Sequence, residues 1–336
     1  MILLTGATGY VGSHVWVELL RNHFQVIGLD NFSNSSRKSL EEIFAASGQS
    51  PNFIRGDIRD EALLEYIFTK NIVTHVIHLA ALKDAQESMV KQAEYFDVNV
   101  RGLQCLLRIM RANSCMKIVF SSSAAIYGSE AASPVSEDII PMPFNYYGET
   151  KLEGEYLLAQ EFQKHSPIYS VSLRYFNVAG RDSSGLLLDN QLEQSNSLFS
   201  KIEQVLLGDC EYLKIFGADW ATSDGTCVRD YIHVSDLAKG HIDALRLLDR
   251  VNGLYALNLG SGVGQSVNDV LSTYERSTGI SIPAKVAPRR SGDVKCSFAD
   301  IRLAAHLMDW EPTKTLQDMC TDSFSSLDAR RSQDSA

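Results

Sequence analysis

No apolar run in this 336-residue chain reaches the ~18 residues that a bilayer-spanning helix needs, so no membrane span is expected. The opening MILLTG is too short for the apolar part of a secretory leader and has no basic segment before it. Cysteine is scarce. Six residues, Cys105, Cys115, Cys210, Cys227, Cys296 and Cys320, are scattered with no C-x-x-C, so neither a disulfide framework nor a metal site is expected. Reduced thiols and a cytoplasmic location are the default. Basic charge is short as well: 31 Lys and Arg stand against 41 Asp and Glu, a formal net charge of −10. A general nucleic-acid surface needs clustered Lys and Arg and is not expected, although one local basic pocket is compatible with this balance. Repeats, low-complexity tracts and Pro-rich linkers are absent.

What is present is an ordinary globular composition, 45% hydrophobic and 21% charged, ample for a large core. The length suggests roughly two domains or one large α/β unit. In the first half, short apolar runs (MILLT, QVIGLD, NFIRGD, THVIHLA, MKIVFSSS, YSVSLRYFN) alternate with helical patterns, including one expected from about Lys91 to Asn113. Such alternation predicts βαβ units and a parallel sheet, and near-continuous apolar strands fit a sheet covered on both faces. The expectation is a Rossmann-like, doubly wound α/β fold with a smaller C-terminal α/β lobe. Residues 1–177 would form the first unit, joined by about 228–260, because VRDYIHV and YALNLG could return to the main sheet. Residues 178–227 and 261–336 would form the lobe.

TGATGYVGSH places Gly6, Gly9 and Gly12 between the first strand and the first helix. Glycines there let the backbone turn and approach a pyrophosphate at a helix N-terminus. The spacing is G-x-x-G-x-x-G, and a lone glycine triplet is weak evidence. Here it follows a predicted strand, opens a helix, and is followed by Asp30 at the end of the second strand, which is the context the chemistry requires. A carboxylate there accepts bonds from ribose hydroxyls and repels a 2′-phosphate, favouring NAD over NADP. Asp57 ends the third strand, where it suits an adenine amino group or an ordinary turn. Ala80 and Ala81 leave room for a cofactor, Lys83 could reach a phosphate or ribose, and Ser123 lies at a carboxyl strand end, where open α/β sheets bind ligands.

NYYGETKLEGEYLLAQEF sets Tyr147 four residues before Lys151 at the start of an amphipathic helix. Positions i and i+4 share a helix face. A nearby cation lowers a phenol from its usual value of about 10, so the pair would make a tuned general base. Taken alone, the same spacing also describes a half-buried Tyr beside a solvated Lys.

These motifs together resemble the short-chain dehydrogenase/reductase superfamily, extended branch. Within it, LDNFSNS, GDIRDEALL, VIHLAALK, FSSSAAIYG, LRYFNVAG, DGTCVRDYIHVSDLA, YALNLGSGVGQSV and APRRSGD resemble, in order, the blocks of UDP-glucose 4-epimerases, from Ile2 to about Ser325. The resemblance implies that Gly6, Gly9, Tyr10, Val11, Gly12, Asp30, Asn31, Asp57, Ile58, Leu79, Ala80, Ala81, Lys83, Asn99, Ser121, Tyr147, Lys151 and Tyr175 hold NAD. It implies Tyr147, Lys151 and Ser123 as the catalytic residues. Ser123, Asn177, Asn196, Ser197, Arg229, Arg290, Asp293 and Ser297 would contact a UDP-sugar. Arg forks suit diphosphate oxygens and Asp suits ribose hydroxyls; a surface ion pair is the plain alternative for the two arginines. The family's homodimer would form through the helices near Lys91–Asn113 and Tyr147–Lys164.

The chain departs from the pattern at Tyr146, where the family often has Pro, at Thr150, where it has Ser, and at Ser197, the second position of an Asn pair in relatives. Related dehydratases and decarboxylases carry an acidic residue just after the serine, where this chain has Ala124 and Ala125. A net reductase is opposed in its NADPH form by Asp30. A catalytically dead NAD-binding regulator is opposed by the presence of both Tyr147 and Lys151. The main expectation is C4 epimerisation of UDP-glucose and UDP-galactose through a 4-keto sugar, with UDP-GlcNAc and UDP-GalNAc as further or principal substrates if Ser297 leaves space for an acetamido group.

Overall fold

The computed structural model describes residues 1–129, 131–187, 195–290 and 292–334. In chain order the first half runs β1 (Ile2–Thr5), α1 (Tyr10–Arg21), β2 (Val26–Asp30), α2 (Lys38–Ser47), β3 (Asn52–Arg55), α3 (Glu61–Lys70), β4 (His75–His78), α4 (Ala85–Val90), α5 (Gln92–Tyr95), α6 (Gly102–Ala112), β5 (Lys117–Ser123), α7 (Tyr146–Phe162) and β6 (Tyr169–Tyr175). The second half runs β7 (Asn177–Ala179), α8 (Leu198–Leu207), β8 (Leu213–Phe216), β9 (Val228–His233), α9 (Val234–Arg250), β10 (Leu254–Leu259), β11 (Gly264–Ser266), α10 (Val267–Thr278), β12 (Ala284–Ala287), β13 (Cys296–Ser297), α11 (Arg302–Met308) and α12 (Leu316–Asp334).

Seven parallel strands form the main sheet in the order β10-β6-β5-β4-β1-β2-β3. Side chains alternate between its faces, as strand geometry demands. Leu4 and Val119 pack with Val15, Trp16 and Leu19 of α1 and with Leu237, Leu245 and Leu248 of α9. Leu3, Ile118 and Phe120 pack on the opposite face with Leu64 and Ile67 of α3 and with Leu103, Leu106 and Met110 of α6. Helices on both faces make this a doubly wound Rossmann-like fold. Strand order reverses between β1 and β4, and the crevice at such a switch point is where open α/β sheets bind ligands.

A second sheet sits beyond the carboxyl edge of the first. β9 is its hub, pairing with β7, β11 and β13. A single buried residue, Phe176, separates β6 in the main sheet from β7 in the small one. β8 and β12 form a separate two-stranded parallel ribbon. Local chemistry sets the ends of the lobe helices. Ser197 caps α8, Ser266 and Asp269 form a capping box on α10, and left-handed Gly208 and Gly279 close the two helices.

Two elements differ from the sequence-based expectation. β10 pairs with β6 in the main sheet, whereas β9 lies wholly in the small one, so 228–260 does not join the main sheet as a unit. An apolar run carries no information about which partner it meets, and the partners of β9 come from positions far away in the chain. The single helix expected from Lys91 to Asn113 is broken into α5, a π-helical segment at Phe96–Arg101 and α6. The wider turn brings Asn99 inside, at 4% exposure.

Candidate active site

Gly6 adopts φ +68, and a Cβ there would lie 2.7 Å from the Ala80 nitrogen; one on Gly12 would lie 2.0 Å from the Gly6 oxygen. The β1–α1 loop is therefore folded against both the end of β4 and the first turn of α1, and no larger residue fits either place. Around Gly9 a Cβ would meet only the Gly6 oxygen, at 3.5 Å. Gly9 is the N-cap of α1 and caps it with no side chain, so the free end of the helix faces an open cradle. At the end of β2, Asp30 accepts from Thr8 N–H (3.1 Å), Phe32 N–H (2.8 Å) and Ser35 Oγ (3.4 Å). These bonds aim the carboxylate and leave part of its accepting capacity for ribose hydroxyls. An open helix terminus beside an oriented carboxylate fits the diphosphate and ribose of a dinucleotide.

Asn31 Nδ2 donates to Asp57 at 2.9 Å. Arg59 grips the same carboxylate through Nε (2.8 Å) and Nη2 (2.7 Å) and holds it well below the usual carboxylate range. Asp57 is thus a paired carboxylate, fixed by its neighbours. Asn99 also spends its polar atoms on the protein. Its oxygen accepts from Leu82 N–H (2.8 Å), and its amide donates to the Leu82 carbonyl (3.0 Å) and to Thr150 Oγ1 (3.0 Å). It ties the segment after β4, with Ala80, Ala81 and exposed Lys83, to α7. Ile58 and Leu79 lie buried and half-buried in the apolar clusters on the two faces of the sheet.

Tyr147 is the second residue of α7, which Asn145 caps by accepting from Gly148 N–H at 2.8 Å. A Cβ on Gly148 would lie 2.6 Å from the Ala125 oxygen, so only glycine lets this first turn press against the turn after Ser123. Ser123 Oγ accepts from Ala125 N–H (3.2 Å), in the turn against which Tyr147's helix packs. One helical turn on, the Lys151 ammonium is buried at 3% exposure and donates to the Ser121 carbonyl at 2.6 Å. It lies 5.8 Å from the Tyr147 ring centre and 5.1 Å from that of Phe120. Burial draws Lys151 down to about 7.

The phenol behaves differently from the expectation. Burial pushes Tyr147 up, and the neighbouring Ser123 hydroxyl draws it only part of the way back. The spacing does bring phenol and ammonium near each other. It does not reveal that a carbonyl takes one of the ammonium's donors and that both groups are desolvated. The polypeptide alone keeps Tyr147 protonated, so a further positive charge is needed to form the phenolate. A positively charged nicotinamide is a group of that kind.

Next to this cluster lies the arginine site. Asp293 stands between Arg290 (Nε to Oδ2, 3.0 Å) and Arg229 (Nη2 to Oδ1, 3.6 Å). Arg229 also donates to the carbonyls of Val228 (2.9 Å) and Val294 (2.7 Å), which fixes its fork. Two cations share one anion here, leaving net positive charge for a diphosphate. Ser297 pairs with Arg229 in register, and exposed Asn177 pairs with Tyr231, two residues along β9. Tyr175 lies opposite Ser123 in the main sheet and leads through Phe176 to Asn177, so the chain itself joins the two halves of the site. A Cβ on Gly292, beside Asp293, would lie 2.9 Å from the ring of Phe144, just before α7. Asn196 bonds Asp84 at 2.9 Å, and Ser197 is occupied in capping α8.

The NAD dependent epimerase/dehydratase family matches residues 2–260. The chain belongs to this family. It is 42% identical over 325 residues to a UDP-glucose 4-epimerase of Neisseria meningitidis serogroup C, covering 96% of each chain. It superposes with a TM-score of 0.96, at 37% identity and 99% coverage of both chains, on the UDP-glucose-4-epimerase of Stenotrophomonas maltophila solved with bound NAD and formylated UDP-arabinopyranose. With the Bifidobacterium longum UDP-glucose 4-epimerase in complex with NAD+ and UDP the TM-score is 0.93, at 37% identity and 98% coverage of both.

Several residues of this epimerase-family site escaped the sequence reading. Thr8 and Ser35 aim Asp30 and bond each other at 2.7 Å. Behind Ser121, the Tyr175 hydroxyl is hydrogen-bonded to His241, which burial lowers to about 4 and keeps neutral. Buried Asp230 accepts from Ser261 (2.6 Å), Gly262 (3.0 Å) and Ala299 (3.0 Å) N–H groups, pinning the strand that carries Ser297. Phe216 lies 4.5 Å from the Arg290 guanidinium. No motif marks these partners, because each is brought in by a distant element. Among the described residues, no cluster of side chains could hold a metal and no helix is long and apolar enough to cross a membrane.

Proposed function

We propose that the chain interconverts UDP-glucose and UDP-galactose by inverting C4 through a transient 4-keto sugar, with NAD as its resident cofactor. The observation that carries this reading is the buried Lys151 ammonium, 5.8 Å from the Tyr147 ring centre on the helix that packs against the turn after Ser123, set beside a fixed pair of guanidinium groups. Tyr147 takes the proton of the sugar 4-hydroxyl, and Ser123 holds the same oxygen and passes its proton. Lys151 orients the cofactor ribose and contributes positive charge. The chemistry that NAD supplies when bound is reversible acceptance of the C4 hydride, so none is consumed. Gly9 at the mouth of α1, Asp30 and Lys151 would hold it. Arg229 and Arg290 anchor the diphosphate, leaving the sugar ring free to present either face, so remote binding energy serves the reacting centre.

The purified protein is expected to convert UDP-galactose to UDP-glucose with no cofactor added. On denaturation it should release NAD or NADH in near-stoichiometric amount. Strict dependence on added NADPH overturns the reading. Elimination and decarboxylation are disfavoured because the turn after Ser123 carries Ala124 and Ala125 in place of a second acid.

The same reading includes a cytoplasmic homodimer. Met89, Val90 and Phe96 on the segment after β4 and Tyr156 on α7 keep apolar side chains exposed, as a helix-to-helix dimer face would.

We also propose that N-acetylated UDP-sugars enter the pocket. Ser297, in register with Arg229, is small where a bulky ring would fill the space of an acetamido group. Ser297→Tyr should retain turnover of UDP-galactose and lose that of UDP-GalNAc, because overpacking typically costs ~1–3 kcal/mol. A wild-type protein that rejects UDP-GalNAc removes this extension and leaves plain UDP-glucose 4-epimerisation.

A further inference from the structure

We infer that Trp220 and Arg289 are positioning residues for the nucleotide end of the substrate, locking Phe216 and Arg290 into place from outside the pocket. The inference rests on the UDP-sugar reading above. Phe216 ends β8, and Arg290 follows shortly after β12. Among the described residues those two strands pair only with each other, and the first three residues of β12 are exposed. A two-stranded ribbon is marginal by itself, so the place of its carboxyl end depends on what braces it.

The brace is built at that end. Gly217 N–H donates to the Ala287 carbonyl at 2.8 Å, closing the ribbon. Gly217 then turns the chain with φ +80, and a Cβ there would lie 2.5 Å from Trp220 Nε1 and 2.8 Å from Arg289 Cγ. The glycine thus lets Trp220 fold back, where its Nε1–H donates to the Phe216 carbonyl at 3.3 Å. The loop is shut by Trp220 N–H donating to the Gly225 carbonyl at 2.9 Å. Arg289 covers the indole with its guanidinium 4.0 Å from the ring centre, and it bonds the Asp219 carboxylate (2.8 Å) and carbonyl (2.6 Å).

Consecutive guanidinium groups therefore stack on two different rings: Arg289 on Trp220 and Arg290 on Phe216. This arrangement fixes the direction in which Arg290 leaves the backbone. The Arg289–Asp219 ion pair is exposed and contributes little by charge alone. Its value lies in the planar fork, which can stack and donate at once.

Trp16 and Trp310 are buried in the core, so Trp220 is the tryptophan that solvent and ligand can influence, and its emission should report UDP binding. Arg289→Gln is expected to raise the Kd for UDP and the KM for UDP-galactose about five- to tenfold, the scale of one lost stacking contact. The kcat should stay within about twofold, with the melting temperature unchanged. Trp220→Phe keeps a ring under the guanidinium and should fall between wild type and Arg289→Gln. It also decides the matter if Arg289→Gln does not fold. Unchanged UDP affinity in the folded variants, or a kcat loss at constant KM, overturns the inference. In that case the proposed activity stands, provided wild type binds UDP. A wild type that does not bind UDP overturns both.

Discussion

Tyr147→Phe is expected to lower kcat for UDP-galactose by about 10²–10⁴-fold, the usual worth of a positioned general base. The ring stays packed and only the hydroxyl is lost. The α7 cap at Asn145, the Gly148 contact and the Thr150–Tyr147 carbonyl bond (2.8 Å) do not depend on it. Folding, NAD content and UDP affinity should therefore match wild type, which separates loss of chemistry from loss of structure. Turnover in the Phe variant equal to wild type would refute the assignment.

The second large effect is expected at Lys151. Lys151→Met fills the same buried channel over Phe120 without the charge. An opposite charge within ~4–6 Å lowers a pKa by about 1–3 units, so its loss should reduce the phenolate fraction near neutral pH by about 10–1,000-fold. The sign is definite. Burial already pushes the Tyr147 phenol up, and removing a cation pushes it further in the same direction. The pH profile of kcat/KM in the variant should keep rising at alkaline pH after the wild-type profile has levelled. NAD should also be held more weakly, while UDP affinity stays unchanged because Arg229, Arg290 and Asp293 are untouched. Identical pH profiles for the two proteins would exclude an electrostatic role.

The strands of the main sheet were legible because burial on both faces writes itself as an uninterrupted apolar run, as in ILLT and IVF. The glycine loop was legible because its residues combine with a strand before and a helix after. The π-helical turn at Phe96–Arg101 was not. Its sequence is helical by pattern, and the extra residue per turn is held by the bonds of Asn99 to Leu82 and Thr150. Asp57 and Asn99 invited assignment to a ligand, yet Arg59 and the Leu82 backbone engage them first. The sheet to which β9 belongs depends on Asn177, Gly264 and Cys296, and no local signal encodes that choice. Charge patterning showed that Tyr147 and Lys151 share a face. It was silent on desolvation, which sets the direction of both shifts.

Phe176 has a mechanical consequence. It is the one link between β6 and β7, it is buried, and its N–H donates to the Leu259 carbonyl at 3.1 Å. The chain crosses between the two sheets again on the short stretch from Leu259 of β10 to Gly264 of β11, where the Ser261 and Gly262 N–H groups donate to Asp230 of β9. A plate pinned at one point can swing, and a plate pinned at two cannot. The ties at Phe176 and at Ser261–Gly262 therefore hold Tyr175 and Asn177 at a set spacing across the join, and the two halves of the site keep their register.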